Sequence, residues 1–455
     1  MTNHDVEPRN LDDPRTPEQR CMDAAAARRQ AEVLVGSPEE DAFLRLLTRS
    51  IQERRATRTR DDVTQFEVLE DGRRGGTPVV TGQLLVRDTI DPGALTSIER
   101  LVGAAAAPVH DIPGLLSVRN PDVPARRLVD IARAVRSWGH QASVTHVTPL
   151  RGVAKGRGGP EPTQVSEGYR LQESGVPPAD RVRVAVIDTG VAKDERKDGF
   201  LAGMADPAGL SVDPLDAFPL DPGPDGFLDF AAGHGSFVAG IVQQVAADAA
   251  VSMHRALDSD GVGSEVTVGQ AIVRAVRDGK AQIVNLSLGA QTVDDQPLLA
   301  IEVALEHVDE IDPEVLVFAA AGNYGDTTPC FPAAQRRVVA VAALAADESV
   351  AAWSSRGFWV TCATIGEGIV STYVHGEESP ALDPQPDTWP QDDPNPWAVW
   401  CGTSFAAPQV AGEVARRMQD DGQSARQALA ALLASGSRKP DVGHAVRILP
   451  GTIGT

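Results

Sequence analysis

The first residues, Met1 to Glu7, hold no basic cluster followed by an apolar run, so no secretory signal is visible there. No apolar stretch approaches the roughly 20 residues that span a bilayer, which argues against a membrane helix. Cysteine is scarce. Cys21, Cys330, Cys362 and Cys401 lie far apart without metal-ligand spacing, which points to thiols in a reducing compartment and no metal held by them. A cytoplasmic setting is therefore expected. Cations are in deficit: 42 Lys and Arg stand against 63 Asp and Glu, a net charge of −21. Such a surface repels a phosphate backbone or an anionic membrane, so neither is expected as a partner. The acidity reads as solubility, with a specific basic partner as the alternative. No internal repeat is visible.

At 455 residues the chain is too long for one small core, and implies one large domain with an added module, or two or three domains. Residues 1–65 read as an N-terminal helical segment, with Phe43, Leu46, Leu47 and Ile51 at helical spacing. Residues 66–150 read as a small α+β module of order βαββαβ, from the strand-like run Val79 to Val86 to the alternating run Ala142 to Val147. Residues 151–180 are rich in Gly, Pro, Lys and Glu and read as a linker. From 181 to 455 short β-rich runs alternate with helical stretches: Val182 to Ile187, Val251 to His254, Ile283 to Leu288, Val315 to Ala320 and Val338 to Val341 are the strands. The alternation predicts a mostly parallel sheet flanked by helices, an α/β domain. Residues 194–229 and 375–396 interrupt it with Asp-, Pro- and Gly-rich sequence. They read as solvated loops, with calcium binding or substrate contact as the sharper alternative.

Three segments in the large domain each set one reactive side chain at a strand end or helix start. In Val184-Ala185-Val186-Ile187-Asp188-Thr189-Gly190 a carboxylate follows a buried-type run, at the carboxyl end of a strand, where open α/β sheets keep their sites. Alone, such an Asp is more often a turn former. In Gly233-His234-Gly235-Ser236-Phe237-Val238-Ala239-Gly240 glycines flank a histidine and clear room around the imidazole. In Gly402-Thr403-Ser404-Phe405-Ala406-Ala407-Pro408 a serine opens an Ala-rich helix. An N-cap serves equally well there, but a helix amino end also stabilises negative charge beside a nucleophile.

The order Asp, His, Ser matches that of subtilisin-type enzymes, and the three boxes resemble those of the subtilase family over residues 180 to about 420. The His box is similar to Gly-His-Gly-Thr-His-Val-Ala-Gly, and the Ser box to Gly-Thr-Ser-Met-Ala-Ala-Pro. The resemblance implies a serine endopeptidase with Asp188, His234 and Ser404 as its triad. It places Asn323, at the end of Ala319-Ala320-Ala321-Gly322, in the oxyanion hole. Substrate would lie extended between two edges, Gly261-Val262-Gly263 and Ser287-Leu288-Gly289, with Ala320, Gly322 and Cys330 near the specificity pocket. Protein or peptide substrates follow. No cofactor is required, no metal ligands are assigned, and structural calcium stays open. The module resembles the family's propeptide, and with the helices before it residues 1–150 form an inhibitory or regulatory region, or a surface for a regulatory partner.

The chain departs from the family pattern at four positions. Ser236 and Phe237 replace a threonine and a second histidine. Cys401 stands where asparagine is common, either as a buried filler or as a thiol whose oxidation would hinder the site. Cys330 stands where glycine is common, which implies a shallow pocket for small or medium apolar side chains. Two other readings compete: a catalytically silent scaffold that keeps the fold for binding, and an esterase or amidase for small molecules.

Overall fold

The computed structural model describes residues 13–33, 38–56, 64–148, 159–191, 196–202, 204, 226–380 and 385–450. Two helices come first, α1 (Pro17–Val33) and α2 (Pro38–Ala56). Each begins with proline, whose missing N–H is harmless in a first turn that has no internal acceptors. Ala27 of α1 packs on Ala343, Ala351, Trp353 and Cys401 of the large domain. Leu47 and Ile51 of α2 pack instead on Phe66, Val147, Phe230 and Val262.

Next stands the small module: β1 (Phe66–Leu69), β2 (Thr77–Arg87), α3 (Pro92–Val102), β3 (Ala106–Pro108), β4 (Leu115–Arg119), α4 (Ala125–Ser137) and β5 (Ala142–His146). Its antiparallel sheet runs β1-β2-β4-β3, and β5 also pairs with β2. Strand β1 precedes the expected elements; four residues are too few for alternation to show. Along β2 the side chains alternate between two cores. Leu84 and Val86 join Ile98, Leu128 and Val135 inside the module, while Leu85 faces Val273, Leu299 and Val303 of the large domain. Helix α3 is bounded as its sequence dictates: Asp91 accepts hydrogen bonds from the N–H groups of Gly93 and Ala94, and Gly103 closes it at φ 77°.

The large domain contains β6 (Glu161–Thr163), β7 (Arg183–Asp188), α5 (His234–Val245), β8 (Ala250–Arg255), α6 (Glu265–Arg277), β9 (Ile283–Leu286) and α7 (Leu299–Ile311). Then follow β10 (Leu316–Ala320), β11 (Val338–Leu344), β12 (Cys362–Ile365), β13 (Ile369–Thr372), β14 (Gly376–Glu377), β15 (Thr388–Trp389) and β16 (Trp397–Trp400). The last elements are α8 (Thr403–Asp421), α9 (Ala425–Ser435), β17 (Ser437–Lys439) and β18 (Gly443–Ala445). An eight-stranded sheet runs β8-β7-β9-β10-β11-β12-β18-β17. It is parallel apart from the β17–β18 pair. Helices α5, α8 and α9 cover one face and α6 and α7 the other, so the central strands are buried on both sides and read as continuous apolar runs. From β7 the chain goes through α5 to β8 on one side, then returns through α6 to β9 on the other. The order therefore reverses beside β7, and the carboxyl ends of β7 and β9 flank a switch point.

Residues 161–163, inside the stretch expected to be a linker, form strand β6 at the edge of a sheet with β16 and β13. An edge tolerates Pro162, which has no N–H to donate. Residues 151–158 of that stretch, and 194–195, 203, 205–225 and 381–384 of the two Asp- and Pro-rich segments, lie outside the described residues.

The module sits on α6 and α7. Glu265, fully buried at the start of α6, accepts from His146 N–H at 2.7 Å through one oxygen and from Ala300 N–H at 2.9 Å through the other. His146 Nδ1 lies 3.2 Å from Glu265, and Val293 N–H donates to its Nε2 at 3.1 Å. Around this apolar seam lie charged contacts: Arg133 and Arg136 on Asp294, Arg277 on Asp111, and Arg87 on Glu306.

Candidate active site

Four elements deliver the sequence-predicted residues to the rim at the switch point. Asp188 is the last residue of β7, His234 the first of α5, Asn323 follows β10, and Ser404 lies in the first turn of α8. Asp188 is fully buried and His234 nearly so. One Asp188 oxygen accepts from His234 Nδ1 at 2.7 Å and from Thr189 N–H at 2.8 Å, which fixes the ring and sets Nε2 on the side away from the carboxylate. The imidazole stands edge-on to Trp400 and beside Phe405. Phe237, at the position of the family's second histidine, packs on Phe405 with 4.5 Å between centroids, so it forms apolar support beneath the ring.

The glycines around His234 serve a different purpose from the one expected. A Cβ on Gly235 would come within 2.1 Å of Gly190 O, and one on Gly233, at φ 80°, within 2.3 Å of the Tyr373 ring. They clear room for the backbone of the Asp box and for Tyr373. Gly235 N–H then donates to Thr189 Oγ1 at 2.9 Å, tying the Asp and His boxes together.

The serine is held through proline chemistry. Pro408, one helical turn on, has no N–H for the carbonyl of Ser404, and that oxygen accepts from Ser287 Oγ at 2.7 Å instead. Ser404 Oγ donates to Ser287 O at 3.1 Å, and Asn285 Nδ2 donates to Ser287 Oγ at 2.9 Å. Asn323 is gripped by Thr403: its Oδ1 accepts from Thr403 N–H at 2.9 Å and from Thr403 Oγ1 at 2.8 Å, while Gly322 N–H donates to the same Oγ1 at 3.1 Å. With Oδ1 fixed, the amide nitrogen has one orientation. Thr189, Thr403 and Asn285 are supporting residues that sequence reasoning did not assign, although the first two stand inside the Asp and Ser boxes, and Ser287, expected as part of a substrate edge, also supports Ser404 through its Oγ.

The two expected edges differ in what occupies them. Gly261, Val262 and Gly263 form a bend shaped by Asp258, whose Oδ1 accepts the N–H groups of Asp260 and Val262. The residues after β5 run antiparallel to this edge: Val147 bridges Ser264, and Thr148 N–H donates to Gly263 O at 2.9 Å. A cavity of about 80 Å³ remains between Leu47, Ile51, Phe66, Val147, Phe230 and Val262. Across from it, Ser287, Leu288 and Gly289 lead into Ala290, whose backbone exchanges two 2.8 Å hydrogen bonds with Phe331. Cys330 is fully buried, its Sγ 2.9 Å from where a Cβ on either Gly289 or Gly322 would stand. The thiol fills space between the two walls, and Ala320 is buried at the end of β10 below.

Cys401 is a filler. It is fully buried, Gly368 N–H donates to its Sγ at 3.1 Å, and Sγ points to Ala27 O of α1. Burial pushes its thiol well above the ordinary range, which makes it inert. Among the described residues no group of three or more His, Cys, Asp or Glu side chains is placed to hold a metal ion, and no helix is long and apolar enough to cross a membrane.

The sequence profile of the subtilase family matches residues 179–446. The chain belongs to the subtilase family. It is 30% identical over 240 residues to the thermophilic serine proteinase of Bacillus sp. (strain AK1), half of each chain being covered. It is 28% identical over 284 residues to thermitase of Thermoactinomyces vulgaris, over 60% of this chain and 86% of thermitase. Fervidolysin from Fervidobacterium pennivorans, a keratinolytic enzyme related to subtilisin, shares the fold. Its TM-score is 0.56 at 19% identity, over 84% of this chain and 61% of fervidolysin. The chain thus spans half the length of the AK1 proteinase it matches, and less than two thirds of fervidolysin.

Proposed function

We propose that the protein is a serine endopeptidase whose triad is Asp188, His234 and Ser404, and that residues 1–150 restrain it. The observation that carries the reading is the Asp188–His234 hydrogen bond at the switch point, with Ser404 and Asn323 on the same rim. Ser404 Oγ attacks the scissile carbonyl, and His234 Nε2 takes its proton and later gives it to the leaving amine. Asp188 holds the tautomer and stabilises the imidazolium. Asn323 Nδ2 and the Ser404 backbone N–H meet the oxyanion, each such donor being worth roughly 10²–10³ in rate. Water then hydrolyses the acyl-enzyme by the same proton path in reverse.

The pairing of Val147 and Thr148 with the 263–264 edge supports a propeptide-like part for residues 66–150. In this reading an extended substrate would add to the same edge. Cys330 between Gly289 and Gly322 supports small or medium apolar residues at the cleaved position. No cofactor enters this chemistry, and a cytoplasmic setting stays part of the proposal. The test is labelling by a fluorophosphonate probe: the wild type reacts and Ser404→Ala, which keeps the fold, does not. Labelling of the variant at the wild-type rate would refute the serine nucleophile.

A further inference from the structure

Strand β9 lies inside the large sheet with helices on both faces, and its run Ile283-Val284-Asn285-Leu286 is fully buried. Asn285 is the one polar residue in it. An amide in such a place is costly unless its hydrogen bonds are made, yet Asn285 Oδ1 has no hydrogen-bond partner among the described residues. What the side chain does make is one bond, from Nδ2 to Ser287 Oγ at 2.9 Å. The Ser287 hydroxyl in turn donates to Ser404 O at 2.7 Å. That oxygen can only accept, so the hydroxyl hydrogen points at it and the Asn285 atom facing Oγ must be the donor. The direction of the relay is therefore fixed, from Asn285 through Ser287 to the carbonyl of Ser404.

Helix α8 has need of such a donor. Pro408, inside the helix, supplies no N–H to the carbonyl four residues back, and its ring crowds that same oxygen. The helix cannot hold Ser404 O as it holds its other carbonyls, and Ser287 does so from a different element. The Ser287 carbonyl also accepts from Ser404 Oγ at 3.1 Å, so one residue grips Ser404 by both its main chain and its side chain. We propose that Asn285 is a positioning residue for Ser404, acting by fixing the direction of the Ser287 hydroxyl that replaces the helical donor missing at Pro408. The proposal rests on the peptidase reading above and deepens it. Asn285 acts only through Ser287 and sets where Ser404 stands when it attacks, so its loss appears in kcat and hardly in KM.

Pro408→Ala provides the test, because it returns an N–H to Ser404 O and makes the relay dispensable. In steady-state hydrolysis of one fluorogenic peptide, Ser287→Ala should lower kcat about five- to tenfold, the range of one hydrogen bond, with KM little changed. Asn285→Leu, close in shape but unable to donate, should lower kcat too and add little to Ser287→Ala, since both break one relay. Should Asn285→Leu not fold, Asn285→Thr, whose hydroxyl stops one atom short of Ser287, takes its place. In the Pro408→Ala background each change should lower kcat about twofold or less. A kcat indifferent to the Asn285 or the Ser287 change, or a loss of equal size in both backgrounds, overturns the proposal. Melting temperatures of the same variants read the relay without substrate: Ser287→Ala should lower Tm more in the wild-type background than in Pro408→Ala. If no peptide is cut at all, the peptidase reading fails and those temperatures alone decide whether the relay holds Ser404, equal shifts in the two backgrounds overturning it.

Discussion

Thr403→Val isolates the grip on Asn323 from the amide itself. Valine keeps the shape of threonine but cannot donate from Oγ1 to Asn323 Oδ1 or accept from Gly322 N–H, contacts of 2.8 and 3.1 Å. The hydrogen bond from Thr403 N–H to Oδ1 at 2.9 Å survives. Half of the tether on Oδ1 is lost, and Gly322 N–H is left without its acceptor. Each neutral hydrogen bond contributes about 1 kcal/mol net, and an orphaned buried donor costs about 1–3 kcal/mol. In the proposed mechanism Asn323 acts only once the oxyanion forms, so looser positioning should lower kcat with little change in KM. About 1.4 kcal/mol of lost transition-state stabilisation is tenfold, against roughly 10²–10³ for Asn323→Ala. The assay is steady-state hydrolysis of one fluorogenic peptide by wild type, Thr403→Val, Thr403→Ser and Asn323→Ala. Thr403→Ser keeps the hydroxyl and should recover most of the rate. The reasoning is refuted if Thr403→Val turns over like wild type while Asn323→Ala is slow, or if serine and valine are equally impaired.

Cys330→Gly empties the space between Gly289 and Gly322, so the kcat/KM ratio for phenylalanine over alanine at the cleaved position should rise about tenfold or more, one added ring being far larger than one methylene at 1–3 kcal/mol. An unchanged ratio would place the pocket elsewhere. Arg133 and then Arg136 hold the Asp294 carboxyl below its ordinary range. A depressed folded value means that the stabilisation is complete above the ordinary carboxylate range and is lost as pH falls through the lower folded value. Asp294 is 30% exposed, so about 1 kcal/mol is the ceiling. Residues 1–150 added separately should then inhibit about fivefold more weakly in Asp294→Asn at neutral pH, with a shallower loss in acid; equal inhibition would show that these pairs do not contribute. Self-cleavage, if it activates the chain, must fall between Thr148, paired with the edge, and Gly159, whose carbonyl accepts from Gln30. Intact-mass analysis should find a cut in that interval in wild type and none in Ser404→Ala, and a cut elsewhere would break the link between edge pairing and processing.

What could be read from the chain depended on how local the cause was. The central strands of the large sheet announce themselves because burial on both faces demands unbroken apolar runs such as Val184 to Ile187. Strands β17 and β18, three residues each with intermediate or exposed side chains, carry no such signature. Asp188, His234, Asn323 and Ser404 were legible because backbone geometry around each forces a short motif. The ion pair between Arg55 and Asp258 was not: its members lie 203 residues apart, and nothing near either one predicts the other. The role of Gly233 and Gly235 was misjudged for the same reason, since Tyr373 and Gly190 approach them from distant parts of the chain.

Cutting the chain between Thr148 and Gly159 would not by itself free the cleft. Helix α1 is stitched to the segment just after that interval. Gln30 Nε2 donates to Gly159 O at 2.8 Å and to Val399 O at 3.1 Å, Arg29 pairs with Glu161, and Thr163 Oγ1 donates to Asp23, which Arg15 also holds. The module keeps its apolar seam on α6 and α7, and α2 keeps Leu47, Ile51 and Arg55 on the cleft wall. A cut severs covalent continuity but removes none of these contacts, so a fragment that restrains the enzyme as proposed should re-dock at the high local concentration that several attachment points produce. Opening is then governed by how fast the fragment dissociates or is itself digested. Of its attachments, the one nearest to the peptide path is the pairing of Val147 and Thr148 with Ser264 and Gly263. In the proposed mechanism an extended peptide adds to the same edge and competes directly with that pairing, so opening should speed up as peptide concentration rises, and a release rate independent of peptide would refute the competition.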